Sequence, residues 1–352
     1  MSKNLHAAIG HLIIEGMNQF NSPNCKGECA MISTVTSTKL QPDSAIADSP
    51  YDLTCSENVS FFRLILKLIR MRQWIKNGFV FVPLLFLFAM PSVSQVLSCA
   101  VGAFFFCLVS SAVYIMNDIV DVSKDRAHPV KRNRPIASGA VPLGAARILC
   151  WILLIAGVAG AAFFNPGLAL IILGYFIMNI AYSFLLKKIM FVDVFTISMG
   201  FILRLCAGFK VLRKPISDPC TMWFIFFVAF LTLFIGVGKR CNELKTMGGN
   251  SGEFRESLKG CSTSQLDQLI VMLMACTIMS YAIFVYTTMI KYLVLTMPLL
   301  LLGVFRYHYL NNGSELTGSP EMIIYKDRPI RCCLVFWALI LIAICFVQTY
   351  FV

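Results

Sequence analysis

Runs of about twenty apolar residues, the length a helix needs to cross the hydrocarbon of a bilayer, recur along the chain from residue 78 onwards. The runs do not alternate between apolar and polar residues, which excludes a porin-type barrel. Only 14% of the 352 residues are charged, too few to cover a water-soluble protein. The sequence therefore predicts an all-α, polytopic integral membrane protein. We expect about nine spans, at 78–95, 97–116, 144–164, 167–186, 194–210, 221–238, 268–288, 290–305 and 332–351.

The formal net charge of +12 fits nucleic acid, anionic lipid or an anionic substrate, and the positions of the bases decide between them. About 22 Lys and Arg residues fall in loops on one face of the predicted bundle, against about four on the other. The positive-inside rule places the base-rich face in the cytoplasm. We therefore expect a multi-pass protein of the inner (plasma) membrane, with its amino terminus and active site cytoplasmic. No nucleic-acid partner is predicted, and the sequence leaves open whether the protein is a homo-oligomer.

Residues 1–58 differ from the rest of the chain in composition. They are rich in Ser, Thr, Asn and Asp, and contain no apolar stretch long enough for a span. We expect them to form a disordered or surface-lying cytoplasmic extension without chemistry of its own. Residues 59–352 are then the nine-helix intramembrane domain.

Three carboxylates stand at helical spacing just after the second predicted span. Asp118, Asp121 and Asp125 occupy positions i, i+3 and i+7, so a helix continuing out of the span would point them the same way, and Asn117 adds a neutral oxygen. Like charges stacked in this manner repel one another unless a cation lies between them. Mg²⁺ favours one or two carboxylates, retained waters and substrate phosphate oxygens. The pattern predicts a magnesium site, and the alternative is an acidic helix end at the membrane surface.

Bases follow these acids directly and favour a polyphosphate bridged by Mg²⁺ over simple lipid anchoring. They are Arg126, Lys131, Arg132 and Arg134.

A second polar group lies around the start of the fifth predicted span. It contains Tyr182, Lys187 and Asp193, and Arg204 follows eleven residues after Asp193, about three helical turns on the same face. An arginine within an apolar span should face the bundle interior. Two interpretations stay open for Arg204, a structural ion pair with an acid or a place in the lining of a substrate cavity.

These motifs resemble the UbiA superfamily of intramembrane prenyltransferases. The first signature is Asn117-Asp118-x-x-Asp121-x-x-x-Asp125, with its loop ending in Arg134-Pro-Ile-Ala-Ser-Gly139. Within the superfamily, the phosphoribosyltransferase branch that acts on polyprenyl phosphate is the more similar one over residues 63–352. Its further motifs match Arg72-Gln73-Trp74-Ile75-Lys76-Asn77, Tyr182-Ser183 with Lys187, Asp193 through Gly200–Arg204 to Ala207-Gly208, Gly238-Lys239-Arg240 with Glu243-Leu244, and Arg306-Tyr307 through Pro320-Glu321 to Asp327-Arg328-Pro329.

The resemblance implies nine helices around a central cavity capped by cytoplasmic loops. It implies a Mg²⁺-dependent transfer of the 5-phosphoribosyl group from 5-phosphoribosyl 1-diphosphate to a long polyprenyl (decaprenyl-type) phosphate, for cell-envelope glycan precursors. The catalytic residues would be Asp118, Asp121, Asp125 and Lys187, with Asn117 and the three acids holding the ion. The substrate-binding residues would be Lys76, Asn77, Asn117, Arg126, Lys131, Arg132, Arg134, Tyr182, Asp193, Arg204, Lys239 and Arg240.

One departure from the wider superfamily supports that branch. Ordinary members carry a second motif, Asp-x-x-x-Asp, whereas here Asp193 is followed four residues on by Ile197. Two alternatives remain. One is a prenyltransferase for an aromatic acceptor, which the missing acid disfavours. The other is an ion-coupled transporter, which would carry its acids near mid-membrane rather than at one interface.

Overall fold

The structure, a computed structural model, describes residues 61–189, 191–246, 261–313, 323 and 326–351. The predicted extension 1–58 and the motif residues Pro320 and Glu321 lie outside the described residues. The chain folds into α-helices, and the described part contains no β-strand. The α-helices are α1 (Phe61–Leu68), α2 (Val82–Leu85), α3 (Val93–Val120), α4 (Val122–Ala127), α5 (Leu143–Phe164), α6 (Pro166–Phe184), α7 (Val192–Val211), α8 (Pro219–Thr246), α9 (Thr263–Thr287), α10 (Met297–Gly313) and α11 (Arg328–Tyr350).

The prediction of an all-α polytopic membrane protein is confirmed. Among the described residues, eight helical stretches are long and apolar enough to cross a membrane. They are α3, α5 to α9, the stretch Tyr292–Asn311 that contains most of α10, and α11. Their outer faces carry large apolar side chains, such as Trp151 and Phe163, which is 94% exposed. Apolar outer faces of this kind, on helices long enough to cross a bilayer, are typical of contact with lipid.

The first predicted span, 78–95, is wrong as a helix. Its residues form the end of a 3₁₀ helix, Met71–Phe81, then the four-residue α2 and a turn before α3. We call Met71–Phe81 the 3₁₀ segment. Residues 70–90 nevertheless extend alongside the whole of α3, as the contacts at their two ends show. At one end, the side chain of Arg70 donates to Asp118, close to the last residue of α3. At the other end, the Met90 N–H donates to Thr349 Oγ1 at 2.7 Å, two residues before the α3 cap at Ser92.

Polar side chains hold the 3₁₀ segment inside the bundle. Trp74 Nε1 donates to Ser111 Oγ at 2.9 Å, and Asn77 Nδ2 donates to Ser110 Oγ at 3.1 Å. On the other side, a Cβ placed on Gly208 of α7 would lie 2.3 Å from the carbonyl oxygen of Val80, so only glycine allows this approach. Irregular backbone is tolerated at membrane depth where protein buries it.

Local sequence signals explain where the long helices begin. Ser92 and Gln95 form a reciprocal capping box at the start of α3, and Ser262 and Gln265 form another at the start of α9. Pro166 occupies the first position of α6, where its missing N–H costs nothing. The apolar core between these helices includes Phe106, Leu168, Ile172, Phe234, Ile270, Phe224 and Phe284.

Candidate active site

The predicted acid cluster lies where α3 gives way to α4. Helix α3 ends at Val120, Asp121 adopts φ −92° and ψ 9°, and α4 begins at Val122. Asp118 and Asp125 are buried, and Asp121 is half-buried. Because the helix is interrupted at Asp121, the i, i+3, i+7 spacing does not produce one continuous acidic face. We call this end of the bundle the acid end.

Arg134 joins two of the three acids. Its Nη1 atom donates to Asp118 Oδ1 at 3.1 Å and to Asp125 Oδ2 at 2.6 Å. The side chain of Arg70 also donates to Asp118 Oδ1. Asp118 therefore lies between two guanidinium groups, and Arg70 is a site residue that the motif comparison missed. Its only sequence signal was its place among the bases before the first predicted span.

The loop that presents Arg134 is fixed by its own apolar residues. Ile136 and Ala137 are buried, and Ile136 belongs to an apolar cluster with Leu68, Ile115 and Ala146. Backbone bonds close the turn, with Ser138 N donating to the Arg134 carbonyl at 2.9 Å. Gly139 has φ +81°, a conformation that favours glycine. The Arg-Pro-Ile-Ala-Ser-Gly stretch thus holds its arginine over the acids.

The third acid, Asp121, faces a different element. Lys187 Nζ, in the 3₁₀ turn Leu186–Lys188 after α6, lies 3.2 Å from Asp121 Oδ1. On the preceding turn of α6, the hydroxyl of Ser183 donates to Asn117 Oδ1. The structure therefore places the predicted residues Asn117 and Asp121 against the end of α6 and Lys187, whereas Arg134 contacts Asp118 and Asp125.

A second cluster of acids and a base forms where α7 begins. Asp193 and Arg240 are both buried, and Arg240 Nε donates to Asp193 Oδ2 at 2.9 Å. Arg240 Nη1 also donates to both oxygens of Glu243, at 3.0 and 2.9 Å. Glu243 supplies, from α8, a second carboxylate close to Asp193, although the motif itself has Ile197 there. In the sequence, the i, i+3 spacing of Arg240 and Glu243 was the signal that could have predicted their ion pair.

Arg204 is buried in α7 and contacts no carboxylate that the structure describes. Its three nitrogens donate to Asn77 Oδ1 at 2.8 Å, to the Gly200 carbonyl at 2.6 Å and to the Tyr175 hydroxyl at 3.0 Å. The guanidinium carbon also lies 4.7 Å from the centre of the Tyr175 ring. Of the two interpretations, the place in the lining of a substrate cavity stays a prediction, and the ion pair with an acid is wrong, because the partners are an amide oxygen, a carbonyl and a hydroxyl. Arg204 instead ties the 3₁₀ segment to α6 and α7.

The other predicted substrate-binding residues differ in their contacts and exposure. Arg126 Nε donates to the Ala137 carbonyl at 3.2 Å, which braces the Arg134 loop. Lys131 and Arg132 are exposed on the 3₁₀ turn before Arg134. The remaining three residues, Lys76, Tyr182 and Lys239, are half-buried.

The donor atoms at the acid end are of the kind that a hard cation prefers. Among the described residues, no group of three or more His, Cys, Asp or Glu side chains lies close enough to hold a metal ion. Asp118 and Asp125 come together, since both accept from one atom of Arg134. Mg²⁺ needs one or two carboxylates when waters and substrate phosphates supply the other oxygens. The pair fits an ion that is bound together with a phosphate-bearing substrate.

A further ion pair at the acid end caps α11. Arg306 Nη2 lies 2.9 Å from Asp327 Oδ2, and the Ile330 N–H donates to Asp327 Oδ1 at 3.0 Å. Burial acts to raise the pKa of Asp327, but the hydrogen bonds from Arg306 and Ile330 outweigh burial and hold that pKa below its ordinary value. Asp327 is therefore ionised at neutral pH and stabilises the amino-terminal end of α11.

A cavity of about 380 Å³ lies at the opposite end of the bundle, lined by aromatic residues such as Phe86, Phe209 and Phe224 and by polar ones that include Lys214 and Asp218. The acids described above are all at the acid end, and Arg204 lies deeper in the bundle, on α7. The chemistry therefore places the candidate active site at the acid end and not in this cavity.

Comparison with known proteins gives three findings. The sequence model of the family described as "UbiA prenyltransferase family" matches residues 79–319. A decaprenyl-phosphate phosphoribosyltransferase from Mycobacterium tuberculosis is 32% identical over 280 residues, covering 78% of this chain and 91% of the relative. A relative of the same name from Corynebacterium glutamicum is 28% identical over 298 residues, covering 82% of this chain and 88% of the relative.

The fold also resembles a solved structure. A UbiA homologue from Archaeoglobus fulgidus, solved with GPP and Mg²⁺ bound, superimposes with a TM-score of 0.62 at 17% identity, covering 80% of this chain and 99% of that one. At this identity the likeness concerns the fold alone.

Proposed function

The chain belongs to the UbiA prenyltransferase family, and from that premise we propose that it transfers the 5-phosphoribosyl group from 5-phosphoribosyl 1-diphosphate to a long-chain polyprenyl phosphate. The names of the relatives from M. tuberculosis and C. glutamicum support this reaction. The acid end would face the cytoplasm, where the donor is dissolved, and the apolar outer faces would admit the acceptor from the bilayer.

One observation in the structure carries the proposal. Bases reach the acid end from three separate elements, with Arg134 beside Asp118 and Asp125, Lys187 beside Asp121, and Arg240 beside Asp193. A sugar 5-phosphate diphosphate presents two anionic ends, and each end needs its own bases. A prenyl diphosphate presents a single anionic head. Separate basic positions therefore favour the two-ended donor.

The reaction forms one bond and breaks one. An oxygen of the lipid phosphate attacks the anomeric carbon of the ribose, the bond from that carbon to the diphosphate breaks, and the diphosphate leaves with the electron pair. The lipid phosphate is already ionised, so no general base is required. Mg²⁺, when bound by Asp118 and Asp125, supplies positive charge beside the leaving diphosphate.

The residues of the chain orient and stabilise this exchange. Arg134 and Lys187 would donate to the diphosphate as its negative charge grows. Asp121, beside Lys187, would hold that lysine in place and stabilise the positive charge that develops on the sugar ring. Lys76 and Arg240 would serve the lipid phosphate and the 5-phosphate.

A second candidate is the transfer of a prenyl chain from a prenyl diphosphate to an aromatic acceptor. The position of Glu243 favours it, because a second carboxylate stands close to Asp193 although the motif lacks one. Against it, Arg240 lies between the two acids, 2.9 Å from Asp193 Oδ2. Position 197, where the wider superfamily carries the second acid of its motif, is also an isoleucine.

Purified protein in liposomes distinguishes the two candidates. Radiolabelled 5-phosphoribosyl 1-diphosphate, polyprenyl phosphate and Mg²⁺ are expected to give a chloroform-soluble labelled product. Arg134→Gln should lower the initial rate by about a hundredfold, as expected for loss of one donor to a developing charge. Arg147→Gln, which removes an exposed base on α5, is the matched control and should leave the rate nearly unchanged. Label that stays in water while an aromatic acceptor becomes prenylated would move the protein to the second candidate.

A further inference from the structure

Arg70 has an unusual backbone conformation beside the acid end. It precedes the 3₁₀ segment with φ 53° and ψ 50°, in the left-handed region. A residue with a Cβ atom adopts this conformation at a cost in free energy, which neighbouring contacts must offset. Strain of this kind in a non-glycine residue at a charged site suggests a functional role for its side chain.

The contacts of Arg70 explain what offsets the strain. Its Nη2 atom donates to Asp118 Oδ1, and its guanidinium carbon lies 5.3 Å from the centre of the Tyr114 ring. The Arg70 side chain is 26% exposed, whereas that of Asp118 is 4% exposed. The side chain of Arg70 therefore extends from the solvent-accessible edge of the site, which we call its mouth, to a buried carboxylate.

The oxygen that Arg70 contacts is also one that a cation would need. Asp118 Oδ1 accepts from Arg70 and, at 3.1 Å, from Arg134. A divalent cation on that oxygen would have to displace one of the two arginines. Arg134 is additionally held by Asp125 at 2.6 Å, whereas Asp118 is the one described ion-pair partner of Arg70.

We propose that Arg70 is an exchangeable base, which neutralises Asp118 before the substrate arrives, is displaced from it by Mg²⁺, and then binds the diphosphate of the donor. Two charges thereby change partners without either being left unpaired. The guanidinium group suits this exchange because its planar fork matches carboxylate and phosphate equally well. The identity of the donor rests on the proposed function, whereas the exchange at Asp118 rests on the contacts above.

The exchange predicts effects of opposite sign on two ligands. Without Arg70, nothing competes with Mg²⁺ from the mouth of the site, so the ion should bind more tightly. The donor should bind more weakly, because its diphosphate loses a base. A residue that only supports the fold would weaken both ligands together or neither.

The test measures the thermal unfolding of the purified protein in detergent micelles, first with increasing Mg²⁺ alone and then with 5-phosphoribosyl 1-diphosphate at saturating Mg²⁺. Arg70→Asn removes the charge and keeps a residue that tolerates the left-handed region. We expect the Kd for Mg²⁺ to fall about tenfold, as when one charge-assisted hydrogen bond no longer competes, and the Kd for the donor to rise about tenfold.

Two further variants complete the design. Arg63→Asn removes an exposed base from α1 and should change either Kd by less than about twofold, so it measures the long-range effect of charge. Arg70→Gly adopts the backbone conformation freely and replaces Arg70→Asn if that protein unfolds. An unchanged or weaker Mg²⁺ affinity in the Arg70 variants would overturn the exchange. Failure of the wild-type protein to bind the donor would instead count against the proposed function, and the Mg²⁺ measurement would still decide the role of Arg70.

Discussion

Replacement of Lys187 by Ala separates substrate binding from stability. Lys187 Nζ lies 3.2 Å from Asp121 Oδ1, and both side chains are about one-third exposed. Ion pairs that water can reach contribute less than about 1 kcal/mol to stability. We therefore expect the free energy of unfolding without ligand to change by less than about 1 kcal/mol. The lysine would matter more to a bound diphosphate, which has several oxygens to place near it.

The size of the effect on ligand protection follows from mass action. A donor present at a hundredfold excess over its Kd stabilises the folded protein by about 2.7 kcal/mol. Loss of one charge-assisted hydrogen bond raises the Kd about tenfold. At the same donor concentration the protection then falls to about 1.4 kcal/mol. About half of the stabilisation by the donor should disappear while the unliganded protein is nearly unchanged.

The assay compares unfolding of the wild-type and variant proteins in detergent micelles, with Mg²⁺ present throughout and the donor present or absent. Lys124→Ala is the control, because Lys124 is an exposed base on α4 close to the same acids. It should retain the full protection. The reasoning is refuted if Lys187→Ala keeps the wild-type protection, or if its unliganded stability falls by several kcal/mol. A protein protected by a prenyl diphosphate but not by the sugar would belong to the aromatic class.

Four further predictions concern other parts of the chain. Deletion of residues 1–58 should leave activity in membranes largely intact, because every motif begins after them, and loss of activity at normal expression would contradict this. Asp121→Asn should lower turnover strongly without unfolding the protein, because Lys187 loses the carboxylate that holds it, and near-native turnover of the variant would contradict that role; EDTA should abolish turnover reversibly by removing Mg²⁺. Arg204→Ala should lower the free energy of unfolding by about 2–4 kcal/mol, because three buried acceptors lose their donor. An Arg204→Lys variant with the free energy of unfolding of the wild-type protein would argue against this. Because the pKa of Asp327 is depressed in the folded protein, its stabilising effect should be present at neutral pH and lost as the pH falls below about 4, so the stability gap to Asp327→Asn should narrow there.

The spans were predictable because apolar length alone determines which segments can cross a bilayer. Eight of the nine predicted spans correspond to helical stretches of suitable length and composition. Hydropathy reports burial in an apolar environment and does not report the type of helix. The segment after residue 77 is apolar, but Pro83 and the side-chain bonds of Trp74 and Asn77 favour a 3₁₀ helix and a short α-helix instead.

The site residues were largely predictable in identity but not in pairing. The i, i+3, i+7 rule assumes an unbroken helix, and the interruption at Asp121 turns that acid towards Lys187. Asp193 and Arg204 share α7, yet Arg240 of α8 is the partner of Asp193. Partners that come from other helices depend on tertiary packing, which spacing along one helix does not encode. Arg70 and Glu243 were missed as site residues for the same reason.

The 3₁₀ segment also determines the order in which this protein can be assembled in a membrane. Its buried Asn77 depends on Ser110, 33 residues later in the chain, and on Arg204, 127 residues later. An amide side chain without partners is costly in hydrocarbon. We therefore expect the segment to reach its final depth only once these partners have been synthesised. The first passage of the chain across the bilayer would then be completed after α7, and not by independent insertion of successive helices from the amino terminus.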